Sequence, residues 1–195
     1  IRNYFDDIPW GSNTEEEFLQ VLEALMIFGI THKLKFNPDK CCFGVDSITH
    51  VGFVVRETGV EVDAMRVDAL REITAPHSMK GTQSVLGAWN YIRNFIPNFS
   101  TRALPLTDLV GSVKSASGKK KPKPFVWTDK CQAAFDDLKQ ATLDTKLLGN
   151  IDFTKEIFIR CDSSQFGAGA VLFQINEHGQ EVPIAYASRK YTLAE

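Results

Sequence analysis

Between residues 111 and 124 the chain runs through Gly111, Ser112, Ser115, Ser117, Gly118, Lys119, Lys120, Lys121, Pro122, Lys123 and Pro124, with little apolar material between them. Such a run cannot present a periodic apolar face, so it is the best domain boundary in the chain, and a flexible, basic linker is expected over 112–124. Its lysines can either draw in phosphate, each neutralised charge adding a salt-sensitive increment, or simply be solvated. With 195 residues and 44% hydrophobic content, one large domain or two small ones fit. The net charge of -2, from 24 acidic and 22 basic residues, argues against an overall basic nucleic-acid-binding domain, so any surface for nucleic acid must be local.

Before that segment the pattern is mainly helical. Thr14 followed by Glu15, Glu16 and Glu17 is a capping box with acids on the positive helix end. Phe18, Leu22, Leu25 and Met26 then recur at helical spacing until Gly29, which suits a stop. An Asn-Pro-Asp turn at Asn37, Pro38 and Asp39 breaks the extended stretch that follows. Residues 48–55 read as one strand in which Gly52 marks close approach by another group. From Asp63, helices are expected with Val67, Leu70 and Ile73 on one face, then from a Ser78 cap with Val85, Leu86, Trp89 and Ile92. Pieces broken by Pro105 follow, holding Phe99, Leu104, Leu106 and Leu109. After the basic segment, Thr128 caps a helix carrying Cys131, Ala134, Phe135, Leu138 and Ala141. Three strands joined by turns at 163–167 and 177–180 form an antiparallel meander, with Asp162 in its first strand.

Cys41, Cys42, Cys131 and Cys161 lack the paired spacing of a zinc site, and His32, His50, His77 and His178 are scattered, so reduced, mostly packed thiols are expected. The apolar runs are too short to span a membrane and no charged-then-apolar leader opens the sequence. An intracellular, cytoplasmic setting is expected.

The chemistry is concentrated in a few carboxylates. Asp6 and Asp7, beside Tyr4 on a tight turn, can hold a hard divalent cation against a phosphate. Solvated Asp pairs are common in turns for a simpler reason, since Asp hydrogen-bonds its own backbone there. Asp162 admits the same two readings.

In order along the chain, these blocks resemble the polymerase-to-ribonuclease H segment of Ty3/gypsy-type LTR retrotransposon polyproteins. Tyr4-Phe5-Asp6-Asp7 matches the palm signature of their reverse transcriptases. Residues 34–43 match the block containing Lys35, Asn37 and Lys40, and His50-Val51-Gly52-Phe53 matches a palm strand. Leu86-Gly87 through Phe99-Ser100, Phe125-Val126-Trp127-Thr128, Cys161-Asp162-Ser163-Ser164 and 183–190 continue the likeness. Pro9 and Gly11, with Arg2 and Asn3, depart from it where an uninterrupted apolar hairpin is usual.

The resemblance implies an α+β chain in four parts: 1–61, the C-terminal part of a palm, a β-hairpin and strand remnant; 62–111, a small helical thumb; 112–124, the linker; and 125–195, the N-terminal part of a ribonuclease H-like domain, a partial mixed sheet opening with the meander. It further implies two-metal phosphoryl transfer at both ends, with Mg²⁺, or Mn²⁺ in its place, held by Asp6 with Asp7 in support, and by Asp162. Tyr4 would pack beside the primer end, Lys40 would lie near the leaving pyrophosphate and Gly52 would let the backbone approach the primer. The implied partners are an RNA template, a DNA primer, the RNA–DNA hybrid, dNTPs and the remainder of the polyprotein, with no membrane; a virus-like particle of the element is an alternative setting. Ile1 is not Met, so an upstream palm aspartate and downstream ribonuclease H carboxylates are expected outside these residues, and the segment alone is expected to be inactive. A decayed element retaining a non-catalytic nucleic-acid-binding or scaffold module is the other reading.

Overall fold

In the computed structural model, which describes residues 6–114, 120–122 and 124–192, three hydroxyl side chains start the longer helices where the sequence expects them. Thr14 accepts from the Glu17 amide at 3.2 Å, Ser78 from Gly81 at 3.1 Å and Thr128 from Cys131 at 3.3 Å, each satisfying a backbone donor that the first turn leaves free. The chain divides into two units, Ile1–Asp46 and Ser47–Glu195.

The first unit is organised around α1 (Glu15–His32). Its acids in the first turn complement the helix dipole. The helix does not stop at Gly29: it continues to His32 and closes on Lys33, whose φ of 57° places it in the left-handed region. Gly29 is instead buried in the helix, where a Cβ would come within 2.7 Å of the Phe36 ring. Close packing, not chain reversal, explains that glycine. A short 3₁₀ turn, Pro38–Lys40, follows, with Asn37 Oδ1 accepting from the Asp39 amide at 3.0 Å.

In the second unit, the single strand expected over 48–55 is two: β1 (Ser47–His50) and β2 (Phe53–Arg56), paired antiparallel and extended by β3 (Gly59–Val62). Val51 and Gly52 form the connection with φ of 50° and 75°. Two successive left-handed residues match the twist of a two-residue hairpin. Sequence could not announce this, because a β-branched residue rarely adopts positive φ.

The sheet leads into α2 (Ala64–Glu72), α3 (Met79–Tyr91), α4 (Phe99–Arg102) and α5 (Leu104–Leu109). Pro105 divides the last two as expected, sitting in the first turn of α5 where its missing donor does no harm. Backbone pairing of β4 (Ser112–Lys114) with β5 (Lys120–Pro122) occupies the stretch expected to be a flexible linker. The core does not part there. Helix α6 (Asp129–Leu143) inserts Cys131, Phe135 and Leu138 among Trp89, Ile92, Ile96 and Leu106, all buried in one cluster. Trp89 Nε1 donates to Thr142 Oγ1 at 3.1 Å, Lys139 Nζ to the Ile73 carbonyl at 3.0 Å, and Arg102 pairs with Asp137 at 2.7 Å.

The meander follows as β6 (Phe158–Ser163), β7 (Gly167–Ile175) and β8 (Glu181–Lys190), antiparallel in that order. Its face is clasped to the helices: the Ser100 amide donates to Ser188 Oγ at 2.8 Å and Arg93 donates to the Ser188 carbonyl. Of the four cysteines, all free, only Cys131 is buried; Cys42 and Cys161 are exposed, which corrects the expectation of mostly packed thiols. Among the described residues, no helix is long and apolar enough to cross a membrane.

Candidate functional site

In the amino-terminal unit Asp6 and Asp7 are exposed, Asp7 making an isolated bridge and residues 8–12 no strand, as Pro9 and Gly11 would dictate. Tyr4 lies outside the described residues. Trp10 stacks on Phe18 with ring centroids 5.5 Å apart and meets Phe43 at 6.0 Å. That cluster ties the segment after the aspartates both to α1 and to the stretch just after Lys40, which stands exposed at the end of its 3₁₀ turn. The aspartate and Lys40 segments thus share the first unit, whereas Gly52, also expected at the polymerase end, belongs to the second.

Asp162 is exposed on β6, opposite Gly169 of β7, which is opposite Ser188 of β8. Alternation along the strands puts Phe158, Arg160 and Asp162 on one face with Val171, Phe173 and Tyr186. Arg160 lies over the Phe173 ring at 4.9 Å and makes a two-pronged pair with Glu181, whose carboxyl is thereby held below its usual range. Burial pushes the Tyr186 phenol up. Asn98, at φ 54° before α4, lays its side-chain oxygen where a Cβ on residue 169 would stand. A side chain at 169 would have to displace that oxygen, and with glycine there an amide borders the carboxylate's face. Within the described sheet β6 is one of two edge strands, β8 being the other.

Gly52 is not inside a strand but at the hairpin turn, and the group that approaches it is the Arg66 guanidinium, which a Cβ there would overlap. Tyr91 Oη donates to the Val51 carbonyl at 2.6 Å. Arg66 stacks on Tyr91, and Tyr91 on Phe53 with centroids 5.2 Å apart. Sequence reading missed Arg66, Tyr91 and Asn98, since each acts on a residue remote in the chain; a glycine demanding close approach was the one signal, and it named the site without naming the visitor. Alanine at position 52 is expected to destabilise the unit by about 1–2 kcal/mol, the cost of a left-handed L-residue, with displacement of Arg66 in addition, as read by urea denaturation.

Among the described residues no three His, Cys, Asp or Glu side chains converge on a metal site. Asp6, Asp7 and Asp162 are exposed carboxylates, oxygen donors of the type that Mg²⁺ takes in ones or twos together with phosphate oxygens and waters.

Residues 127–195 match the family model of the RNase H-like domain found in reverse transcriptase. Over 98% of its length the chain is 34% identical to the retrovirus-related Pol polyprotein from transposon 412 of Drosophila melanogaster, of which it spans 15%. It is 28% identical over the same share to the Tf2-3 polyprotein of Schizosaccharomyces pombe, spanning 14% of it. Among solved structures, the foamy viral protease-reverse transcriptase in complex with RNA/DNA hybrid superposes with a TM-score of 0.68 at 27% identity, over 94% of this chain and 24% of that one.

Proposed function

We propose, from the premise that this chain is a relative of the retrotransposon Pol polyproteins and carries their RNase H-like domain over 127–195, that it serves both RNA-directed DNA synthesis and hydrolysis of RNA in RNA–DNA hybrids. In this reading 1–61 closes the polymerase palm, the helices of 62–111 are the thumb with α6 completing their core, and β6 to β8 open the ribonuclease H-like sheet. The observation that carries it is Asp162 itself, an exposed carboxylate on β6 within the matched domain, paired with Gly169, beside which the Asn98 amide lies.

Asp6, with Asp7 in support, would hold Mg²⁺ at the polymerase end, and Asp162 at the nuclease end; Mn²⁺ can substitute. Bound Mg²⁺ neutralises phosphate charge and makes bound water more acidic. The chain's own part is to orient carboxylate oxygens toward a phosphate and, at Lys40, to offer a positive charge near departing pyrophosphate. Tyr4 would pack beside the primer end. RNA template, DNA primer, hybrid and dNTPs are the partners this chemistry requires, the other carboxylates coming from elsewhere in the polyprotein. The cytoplasm, or a particle assembled there, is the setting.

The reading is tested first on the chain itself. Mn²⁺ should selectively broaden the backbone resonances of Asp162 and Gly169, and Asp162→Asn should abolish this; a spectrum without selective broadening there sinks the nuclease half. Within the whole polyprotein, Asp162→Asn should lower hybrid cleavage by about 100-fold, the scale of losing one transition-state charge contact, while leaving primer extension intact. Asp6→Asn should do the reverse.

A further inference from the structure

We propose that Arg66, stacked on Tyr91 and seated against the Val51–Gly52 turn, is a fixed seat for one phosphate of a nucleic-acid backbone. The inference rests on the polymerase reading above and adds a residue and a ligand atom to it.

The guanidinium carbon lies 4.1 Å from the Tyr91 ring centroid. Tyr91 stacks in turn on Phe53, and Phe53 on Phe95 at 5.4 Å, with Phe95 only 7% exposed. Arg66 therefore caps a column of aromatic rings whose inner end is embedded in the core. On the other side it is in contact with Gly52, which has no side chain to push it away. Tyr91 is locked by its bond to the Val51 carbonyl, and the Gly52 carbonyl accepts from the Asp63 amide at 3.1 Å, so turn, ring and helix α2 hold one another in place. The rotamer entropy that a long side chain must surrender on binding has been surrendered in advance.

Its charge is unanswered. Arg66 is half-buried, yet among the described residues its guanidinium makes neither an ion pair nor a hydrogen bond, its backbone amide alone donating to the Asp63 carbonyl at 2.9 Å. The neighbouring acids are engaged elsewhere or stand off: Glu61 pairs with Arg56 at 2.8 Å, Asp68 with Arg71 at 2.9 Å, and Asp63, at the start of α2, makes no ion pair with it. Stacking occupies the flat face of a guanidinium and leaves its N–H donors, which lie in the plane, directed outward. A planar fork of donors, partly desolvated and without a counter-charge, matches the paired oxygens of a phosphodiester. Contacts of this kind fix a duplex in position without reading its sequence.

The test is fluorescence anisotropy of a labelled RNA–DNA hybrid with the 195-residue chain across a salt series. Arg66→Gln, which keeps most of the stem, should weaken binding by about tenfold, as for a hydrogen bond to a charged group, equally for two unrelated hybrid sequences. It should also make the slope of log K against log salt shallower by about 0.9, one released counterion. Arg66→Lys should keep the wild-type slope with reduced affinity. A slope unchanged in Arg66→Gln overturns the proposal and leaves the polymerase reading standing, whereas a wild-type chain that binds no hybrid overturns both. In the unaltered protein, the Arg66 Nε–H resonance should move when hybrid is added; a resonance that stays put overturns the proposal whatever the variants do.

Discussion

Trp89→Ala is expected to lower the unfolding free energy of the Ser47–Glu195 unit by about 3–5 kcal/mol, the range for removing a large buried aromatic. Trp89 has no exposed surface, and Phe135 of α6 meets it edge-on at 5.4 Å. Its indole N–H donates to Thr142, itself only 1% exposed. Alanine would thus open a void between α3 and α6 and deprive Thr142 of a donor, although the Thr142 hydroxyl keeps its own bond to the Leu138 carbonyl at 2.8 Å. Against a total of about 5–15 kcal/mol for an ordinary domain, such a loss leaves little. Urea denaturation followed by tryptophan fluorescence and, separately, by far-ultraviolet circular dichroism reads the effect. The two probes should report one transition at a lower midpoint. A loss below about 1 kcal/mol, too small for a filled core site, would mean that the segments before and after residues 112–124 do not share a core.

Gly59→Ala is expected to be nearly as severe, at about 3 kcal/mol or more, from backbone strain of about 1–3 kcal/mol and loss of hydrogen bonds worth about 1 kcal/mol each. Gly59 has φ 148°, a region L-residues rarely enter, and a Cβ there would run into the Leu148 carbonyl. That carbonyl is not free to yield. It accepts from the Val60 amide at 2.7 Å while the Leu148 amide donates to the Val60 carbonyl at 2.9 Å. Asn150 reinforces the same crossing through the carbonyls of Arg56 and Glu57. Relief of the clash must therefore break the bridge that fastens β3 to the chain after α6. Amide exchange at Val60 and Leu148 should accelerate in the variant; unchanged protection at both would refute the account.

How much of this was legible in the sequence depends on whether the cause was local. Thr14, Ser78 and Thr128 announce their helices because the capping partner lies three residues away, and the meander shows because its turns end in or carry Gly167 and Gly179 between apolar stretches. The antiparallel α+β architecture followed, and so did the likeness to retrotransposon Pol polyproteins. The joint core did not, because 112–124 has the composition of a linker while the apolar faces on either side are complementary only in three dimensions. Gly29 misled for a related reason: a glycine that stops a helix and one that admits a ring look alike until Phe36 is placed. At the site, Asp6, Asp7 and Asp162 came from short strings read beside a family likeness. Arg66 and Tyr91 had no string to give them away, being 14 and 40 residues from the turn atoms they touch.

The clasp that Arg93, Asn98 and Ser100 make with Gly169 and Ser188 leaves no joint between helices and meander. Under the function proposed above, a duplex lying along both would find that rigidity acting as a ruler: the number of nucleotides from whatever grips the strand to the carboxylate on β6 would be set by the shape of the protein.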